Sequence, residues 1–251
     1  MAISVNGTPS TSSNAVGTTV LTATITIPAA AVAADYYVLA ISSGAGVSQS
    51  HSVTQTGNTW TNQVAYASDG ATNPGGLSIW TKYNNADAGA TVTITFNVTA
   101  GFAAALVAYS GVDQVTTLDG AIPARQNVTT GGTAPTTPGL TPVTAGTWYI
   151  GCLHTRSSAL VTATPTLTAS SGATVDAQTG TTGATNSNVR MTVGVEHLLW
   201  TGGAIATQTW TANATVFSSG DALALRAAVV TPVPPSFRSV PNGAVQRAAY
   251  Y

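Results

Sequence analysis

Apolar and small polar residues alternate along much of this chain with a period of two, the spacing of side chains on a half-buried β-strand. In "TTVLTATITIP" the alternation puts Val20, Thr22, Thr24 and Thr26 on one face and Leu21, Ala23, Ile25 and Ile27 on the other, which reads as core. "LSIWTKY" opposes Leu77, Ile79, Thr81 and Tyr83 to Ser78, Trp80 and Lys82, and "TVTITFNV" opposes Val92, Ile94 and Phe96 to Thr91, Thr93 and Thr95. These segments are expected to be antiparallel strands with one solvated face. The alanines of "PAAAVAADYY" favour helix but run straight into strand-like sequence, so one helical turn at most is expected there. Turn clusters such as "SSGAG", "SDGATNPGG", "NNADAG" and "TTGATNSN" separate the runs. About ten to thirteen strands at this spacing predict an all-β antiparallel β-sandwich, jelly-roll-like in character.

The order of strand types repeats. "DYYVLAISSGAG", "LSIWTKYNNADAGATVTITF" and "AAALVAYSGV" in the first half answer to "GTWYIGCLHTRS", "VRMTVGVEHLLW" with "ATQTWTAN", and "DALALRAAVV" in the second. One sandwich domain over residues 1–230 is expected, with both halves contributing to both sheets, because neither half has strands enough to close its own sandwich. Two similar halves, 1–127 and 147–230, remain the alternative, joined by the Thr/Pro/Gly-rich stretch 128–146 as an exposed loop. Beyond 230, "TPVPPSFRSVPNGAVQRAAYY" carries four prolines and no acidic residue. Proline lacks a backbone donor and fixes φ, so residues 231–251 are expected to form an extended arm that contacts another chain. Phe237, Tyr250 and Tyr251 would anchor it, and Arg238 and Arg247 would pair with carboxylates.

Composition narrows the function classes. Charged residues are only 6% of the 251 and the formal net charge is −1, against about 25% charged in ordinary soluble proteins. Such a surface cannot neutralise phosphates, so no nucleic-acid partner is expected. It also repels its own copies weakly, which suits a crowded assembly. The single cysteine, Cys152, excludes an intrachain disulfide. "MAISVNGTPS" lacks the basic and apolar regions of a signal peptide, so synthesis in a cytoplasm is expected and the N-x-T sequons at Asn6, Asn97, Asn127 and Asn213 are read as ordinary Thr-rich sequence. No apolar run reaches the roughly 18 residues of a membrane helix, so no membrane partner is expected.

Candidate chemistry is sparse: eight acidic residues, seven basic ones and three histidines. Cys152 and His154 would share a strand face, but two further metal ligands with a recognisable spacing are missing. Glu196 and His197 are adjacent and point to opposite faces, which argues against direct cooperation. Asp69, Asp87, Asp113, Asp119, Asp176, Glu196 and Asp221 could converge as a glycosidase pair, yet most sit beside Gly or Ala, where turn formation accounts for them. No enzyme activity, cofactor or metal is expected. Among the tryptophans Trp60, Trp80, Trp148, Trp200 and Trp210, Trp80 has Ser78 and Lys82 as its same-face neighbours, so it is expected on a solvent or subunit-contact face.

"GNTWTNQVAYAS", "LSIWTKYNNADAGATVTITFN" and "AAALVAYSGVD" together resemble a pattern in β-sandwich structural proteins of tailed bacteriophage virions. The resemblance covers about residues 36–120 and consists of a G-x-T-W turn, an "IWTKY" strand, an alternating "TVTITF" strand and a strand closing in "YSGVD". It implies a virion component of the head-decoration or minor-capsid type, with the major capsid protein or other virion subunits as partners, a homo-oligomer such as a trimer, and no catalytic residues. The alternative reading is a carbohydrate-binding module or tail-associated adhesin for bacterial surface glycans.

Overall fold

The computed structural model describes residues 2–44, 49–70, 75–83, 86–157, 163–182 and 190–229. Among them the chain is all-β, and no helix forms at "PAAAVAADYY", where two turns deliver the chain into a buried strand. The first half holds β1 (Ser4–Val5), β2 (Ser10–Ser13), β3 (Val20–Thr26), β4 (Tyr36–Gly44), β5 (His51–Thr54), β6 (Thr61–Ser68), β7 (Gly75–Tyr83) and β8 (Thr91–Ser110). The second holds β9 (Gln126–Gly132), β10 (Thr136–Thr137), β11 (Trp148–Ser157), β12 (Leu167–Thr168), β13 (Thr174–Gly180), β14 (Met191–Leu199), β15 (Gln208–Thr209), β16 (Thr211–Ala212) and β17 (Val216–Leu225).

Each half builds a large sheet and covers it with short strands, three-stranded in the first half and two separate two-stranded pairs in the second. The first large sheet runs β1/β2-β8-β4-β7-β6 and the second β9-β17-β11-β14-β13, all antiparallel. In the first small sheet the early part of β8 lies between β3 and β5; in the second, consecutive β15 and β16 pair with β10 and β12. Read in chain order, the eight strands of the first half answer to the nine of the second, with β1 and β2 set against β9 and the long β8 against β15–β17. Among the described residues each named sheet is built from one half rather than shared by both as expected, and the halves are joined by isolated bridges at Ala15–Thr182, Val112–Ala227 and Leu118–Leu225. The stretch expected as a loop at 128–146 includes most of β9, an edge strand, and all of β10, part of a small sheet. Its Gly and Thr content marks edge strands as readily as a linker, which composition alone could not separate.

The result is a stack of four layers. Sheet faces meet because each is apolar on at least one side and must bury it. Tyr36, Val38, Ala40, Leu77, Ile79 and Val107 of the first large sheet pack on Ile150, Cys152, Val193, Val195, Leu223 and Leu225 of the second. Across that interface β14 lies over β4 and β8, while β7 lies over β11 and β17. That reciprocity is the signature of an approximate twofold relation between the halves. The outer faces of the large sheets are covered by the small ones. Ile25, Ile27, Leu39, Trp60, Trp80 and Ile94 belong to the first outer core, and Leu153, Leu167, Trp210, Ala212 and Val216 form the second.

Strand β8 shows how sequence makes this. Its even positions Val92, Ile94, Phe96, Phe102, Ala104, Leu106 and Ala108 all enter one core, because the strand folds over that core between Asn97 and Gly101, where Val98 is exposed. Phe96 and Phe102, from either side of the bend, lie 5.5 Å apart. The odd positions Ala103, Ala105, Val107 and Tyr109 face the other half instead. Gly220 serves the second half: a Cβ there would overlap the carbonyl oxygen of Thr136, so only glycine lets β10 lie this close to β17.

Because the large sheets are inner layers, β4, β7 and β11 are buried on both faces rather than one. This corrects the placement of Trp80, which is 9% exposed inside the first outer core and donates its indole N–H to Ser78 Oγ at 3.3 Å. Its neighbour Lys82 is buried too, paired with Asp87 and held over the rings of Tyr37 and Trp60. A polar residue either side of an aromatic signals a wet face only when no further layer covers that face.

Candidate functional site

The ionisable side chains gather in the seams between layers. The deepest group lies between the halves. Asp69, just after β6, accepts from Arg156 Nε of β11 at 3.2 Å and lies 3.7 Å from His154 Nε2. His154 Nδ1 in turn meets Ser42 Oγ of β4 at 2.6 Å. Arg156 also stacks over Phe217, 4.5 Å from its centroid. Alongside, Arg125 binds Asp221 through Nε at 2.9 Å and through a terminal nitrogen at 2.5 Å, and donates to the carbonyls of Ala67 and Leu77 in the first half. One guanidinium thus fastens β17 to the β6–β7 edge, using the fixed fork that only arginine offers.

Ser42, His154 and Asp69 follow one another as a nucleophile, base and orienting acid would. All three are 0% exposed, so no substrate in solvent reaches the hydroxyl. Burial also lowers the His154 pKa, only partly offset by Asp69, and keeps the ring neutral. The array is a buried polar cluster across the halves, hydrogen-bonded at Ser42–His154 and at Arg156–Asp69, with His154 Nε2 only within ion-pair range of Asp69. Its counterpart in the first outer core has His51 bridging Ser43 and Ser78 at 2.7 and 2.6 Å. Burial and the nearby His154 push the His51 pKa down to about 3.

A second group closes the opposite end of the seam. Asp176 accepts from Tyr109 of the first half at 2.6 Å and from His197 Nδ1 at 2.5 Å. Trp148 stacks on the His197 ring at 4.0 Å, and both rings are half-buried. With both Asp176 oxygens engaged, the carboxylate fixes the imidazole orientation and leaves Nε2 as the ring's other polar atom. Glu196, on the other face of β14, binds the N–H and hydroxyl of Ser170 at about 3 Å. Burial outweighs those hydrogen bonds and raises its pKa to about 7. A carboxyl neutral below that pH has the protonation of a general acid, but Glu196 is 0% exposed.

The remaining acids hold loops. Asp119 accepts from the N–H groups of Val143 and Thr144 and the hydroxyls of Thr144 and Thr147, all at 2.8–3.0 Å. Burial pushes its pKa up, and these four donors overcome that and bring it below the usual value. Turn formation beside Gly120 does not account for this clasp, and nothing local in the sequence announces a partner 24 residues on. Asp113 caps Val115 and Thr116, and Asp35 holds Asn6 and the Val32 N–H. Among the described residues no three His, Cys, Asp or Glu side chains gather as metal ligands, and Cys152 lies in the apolar interface, its thiol pKa well raised by burial.

These shifts predict the pH response. His51 and His154 titrate lower in the fold than in the unfolded chain, so the unfolded state binds more protons as pH falls below about 6.5 and stability is lost. Glu196 acts oppositely: its folded pKa is raised, so its contribution is complete below about pH 4.5 and is lost as pH rises through about 7. Between pH 4.5 and 6.5 the two histidines are opposed by Glu196 and by Asp221, whose pKa burial also raises, and the histidine loss is the larger toward the acid end of the range. Urea titrations across this range should show that loss, and Glu196→Gln should steepen it. A midpoint independent of pH between 4.5 and 6.5 would contradict the assignment.

Of the residues expected to bind a partner, Trp80 is interior, and Phe237, Arg238, Arg247, Tyr250 and Tyr251 lie outside the described residues. Trp60 and Trp210 are core, while Trp148 and Trp200 are half-buried. Compared with known proteins, the chain matches no family model, no curated protein and no solved structure.

Proposed function

We propose that this protein is a structural subunit of a tailed-bacteriophage virion, of the head-decoration type, which binds the assembled shell in many copies. The use of its ionisable groups carries the reading: all eight acidic residues fall among the described residues, and each is tied to a hydrogen-bond or ion-pair partner that holds loops or layers together. Charge is thereby drawn inward, and the outer faces carry neutral threonines: Thr22, Thr24, Thr26 and Thr91 on one flank, Thr168, Thr209 and Thr211 on the other. Such a shape suits close contact between like copies, and the sequence resemblance to virion sandwiches points the same way.

A ligand that prefers the assembled shell stabilises it by mass action. Purified protein is therefore expected to bind capsids that lack it and to raise their temperature of disruption. Removing residues 231–251 should leave the β-sheet circular dichroism unchanged and weaken that binding. Absence of saturable binding to any such capsid would overturn the decoration role.

One observation favours the glycan-binding reading in second place. Trp200 and the 52% exposed Leu199 line a shallow groove of about 330 Å³ with Ile205 and Gln208, an aromatic beside an amide of the kind that holds a sugar ring. Binding on a glycan array that is lost in Trp200→Ala would favour an adhesin over a decoration protein.

A further inference from the structure

The first small sheet has an open edge. Strand β3 pairs with β8 alone among the described strands. Its ladder phase follows from Ile27, whose N–H is given to Ala90 O. Inward and outward groups alternate along an antiparallel strand, so Ile25 and Ala23 also turn their backbone groups to β8. The N–H and C=O groups of Thr22, Thr24 and Thr26 point the other way, and all three residues are exposed.

Edges like this are commonly protected by charge, proline or extreme shortness. Here β3 is seven residues long and contains neither charge nor proline. The first charged residue in the whole sequence is Asp35, and β5 and β8 carry no Asp, Glu, Lys or Arg. Leu21, at the start of the strand, is 52% exposed.

We infer that β3 is a self-association edge, pairing antiparallel with β3 of a second copy about a twofold axis at Thr24. A second copy is the occupant because the edge is complementary to itself. With Thr24 opposite Thr24 and Thr22 opposite Thr26, the outward groups of the two strands form about six backbone hydrogen bonds. Threonine meets threonine on the outer face, a favourable cross-strand pair. On the inner face Leu21 comes opposite Ile27 and Ala23 opposite Ile25, so exposed apolar surface is covered. With no charge along either edge, like copies meet without repulsion. The two small sheets join into one of six strands with continuous threonine ranks. This contact extends the reading of a multi-copy subunit but does not depend on a capsid, and it closes as a dimer rather than the expected trimer.

Sedimentation equilibrium of the full chain tests it, alongside two substitutions at the exposed Thr24, whose side chain and outward N–H take no part in the β8 ladder. The wild type should be dimeric at micromolar to hundred-micromolar concentration. Thr24→Lys places two ammonium groups face to face and should weaken the dimer at least tenfold while the circular dichroism is unchanged. Thr24→Cys should form an intermolecular disulfide under mild oxidation, since paired Cα atoms at such a site lie about 5.5 Å apart, within disulfide reach. Thr22→Cys, opposite Thr26 in this register, should not; the native Cys152 is buried and does not interfere. A monomeric wild type, a dimer indifferent to Thr24→Lys, or equal cross-linking at 22 and 24 would overturn the pairing. A monomer that still binds capsids would sink this contact and leave the virion reading intact, and a Thr24-dependent dimer that ignores capsids would do the reverse.

Discussion

Replacing Asp69 with alanine is expected to lower the unfolding free energy by about 3–5 kcal/mol, the usual cost of removing one partner from a buried ion pair. Asp69 is 0% exposed, and Arg156, which it binds across the seam, is 3% exposed. Without that carboxylate a buried guanidinium loses the charge opposite it, and His154 loses the anion that partly offsets its desolvation. The cost arises from desolvation of what is left behind rather than from the strength of the pair itself. Asp69→Ala combined with Arg156→Met should therefore recover much of the loss, since a well-packed apolar replacement is often neutral. Urea denaturation of the single and double variants measures this. An Asp69→Ala midpoint equal to the wild type would show that the seam does not rely on the pair.

Trp210→Ala should cost a similar amount, about 3–5 kcal/mol, for a different reason. Trp210 is 0% exposed and is by far the largest side chain in an outer core whose other buried members are Leu153, Leu167, Ala212 and Val216. The backbone of Gly194 lies directly under its ring, and its indole N–H reaches Thr137 Oγ1 at 3.4 Å. So small a cluster cannot collapse to refill the space. Trp210→Phe, which keeps most of the volume, should cost markedly less. Because the two large sheets share a continuous apolar interface, unfolding should remain one transition at a lower midpoint. A separate early transition of the second half would show instead that the halves unfold independently.

How far the sequence could be read depended on the depth of each strand. Strand β8 was legible in its first part, where Val92, Ile94 and Phe96 are buried and Thr91, Thr93 and Thr95 face outward. The pattern around β3 was legible at Ile25 and at Ile27 just past the strand, both buried, but not at Leu21, whose exposure follows from its place near the strand start beside a register shift. Strand β7 misled. Its Ser78, Trp80 and Lys82 have the look of a wet face, yet a further sheet lies over them: Ser78 meets His51, the Trp80 indole N–H is given to Ser78, and Lys82 is answered by Gln55 and Asp87. Local alternation reports contrast between two faces, and contrast disappears when both are buried.

The functional groups were harder still. Asp69 with Arg156, Arg125 with Asp221 and Tyr109 with Asp176 are separated by 87, 96 and 67 residues, and no spacing rule predicts such pairs. The echo between the halves was visible as a recurring order of strand types. What it meant came only from the pairing, which shows two copies of one plan set face to face.

By itself the sequence determined the class of this protein: all-β, antiparallel, low in charge and without an intrachain disulfide, because period-two patterning, composition and a single cysteine act locally or by count. The tertiary structure decided which faces are interior, where the few charges meet and which edge stays open. Those depend on the stacking of four layers, and stacking is set by complementarity between strands far apart in the chain.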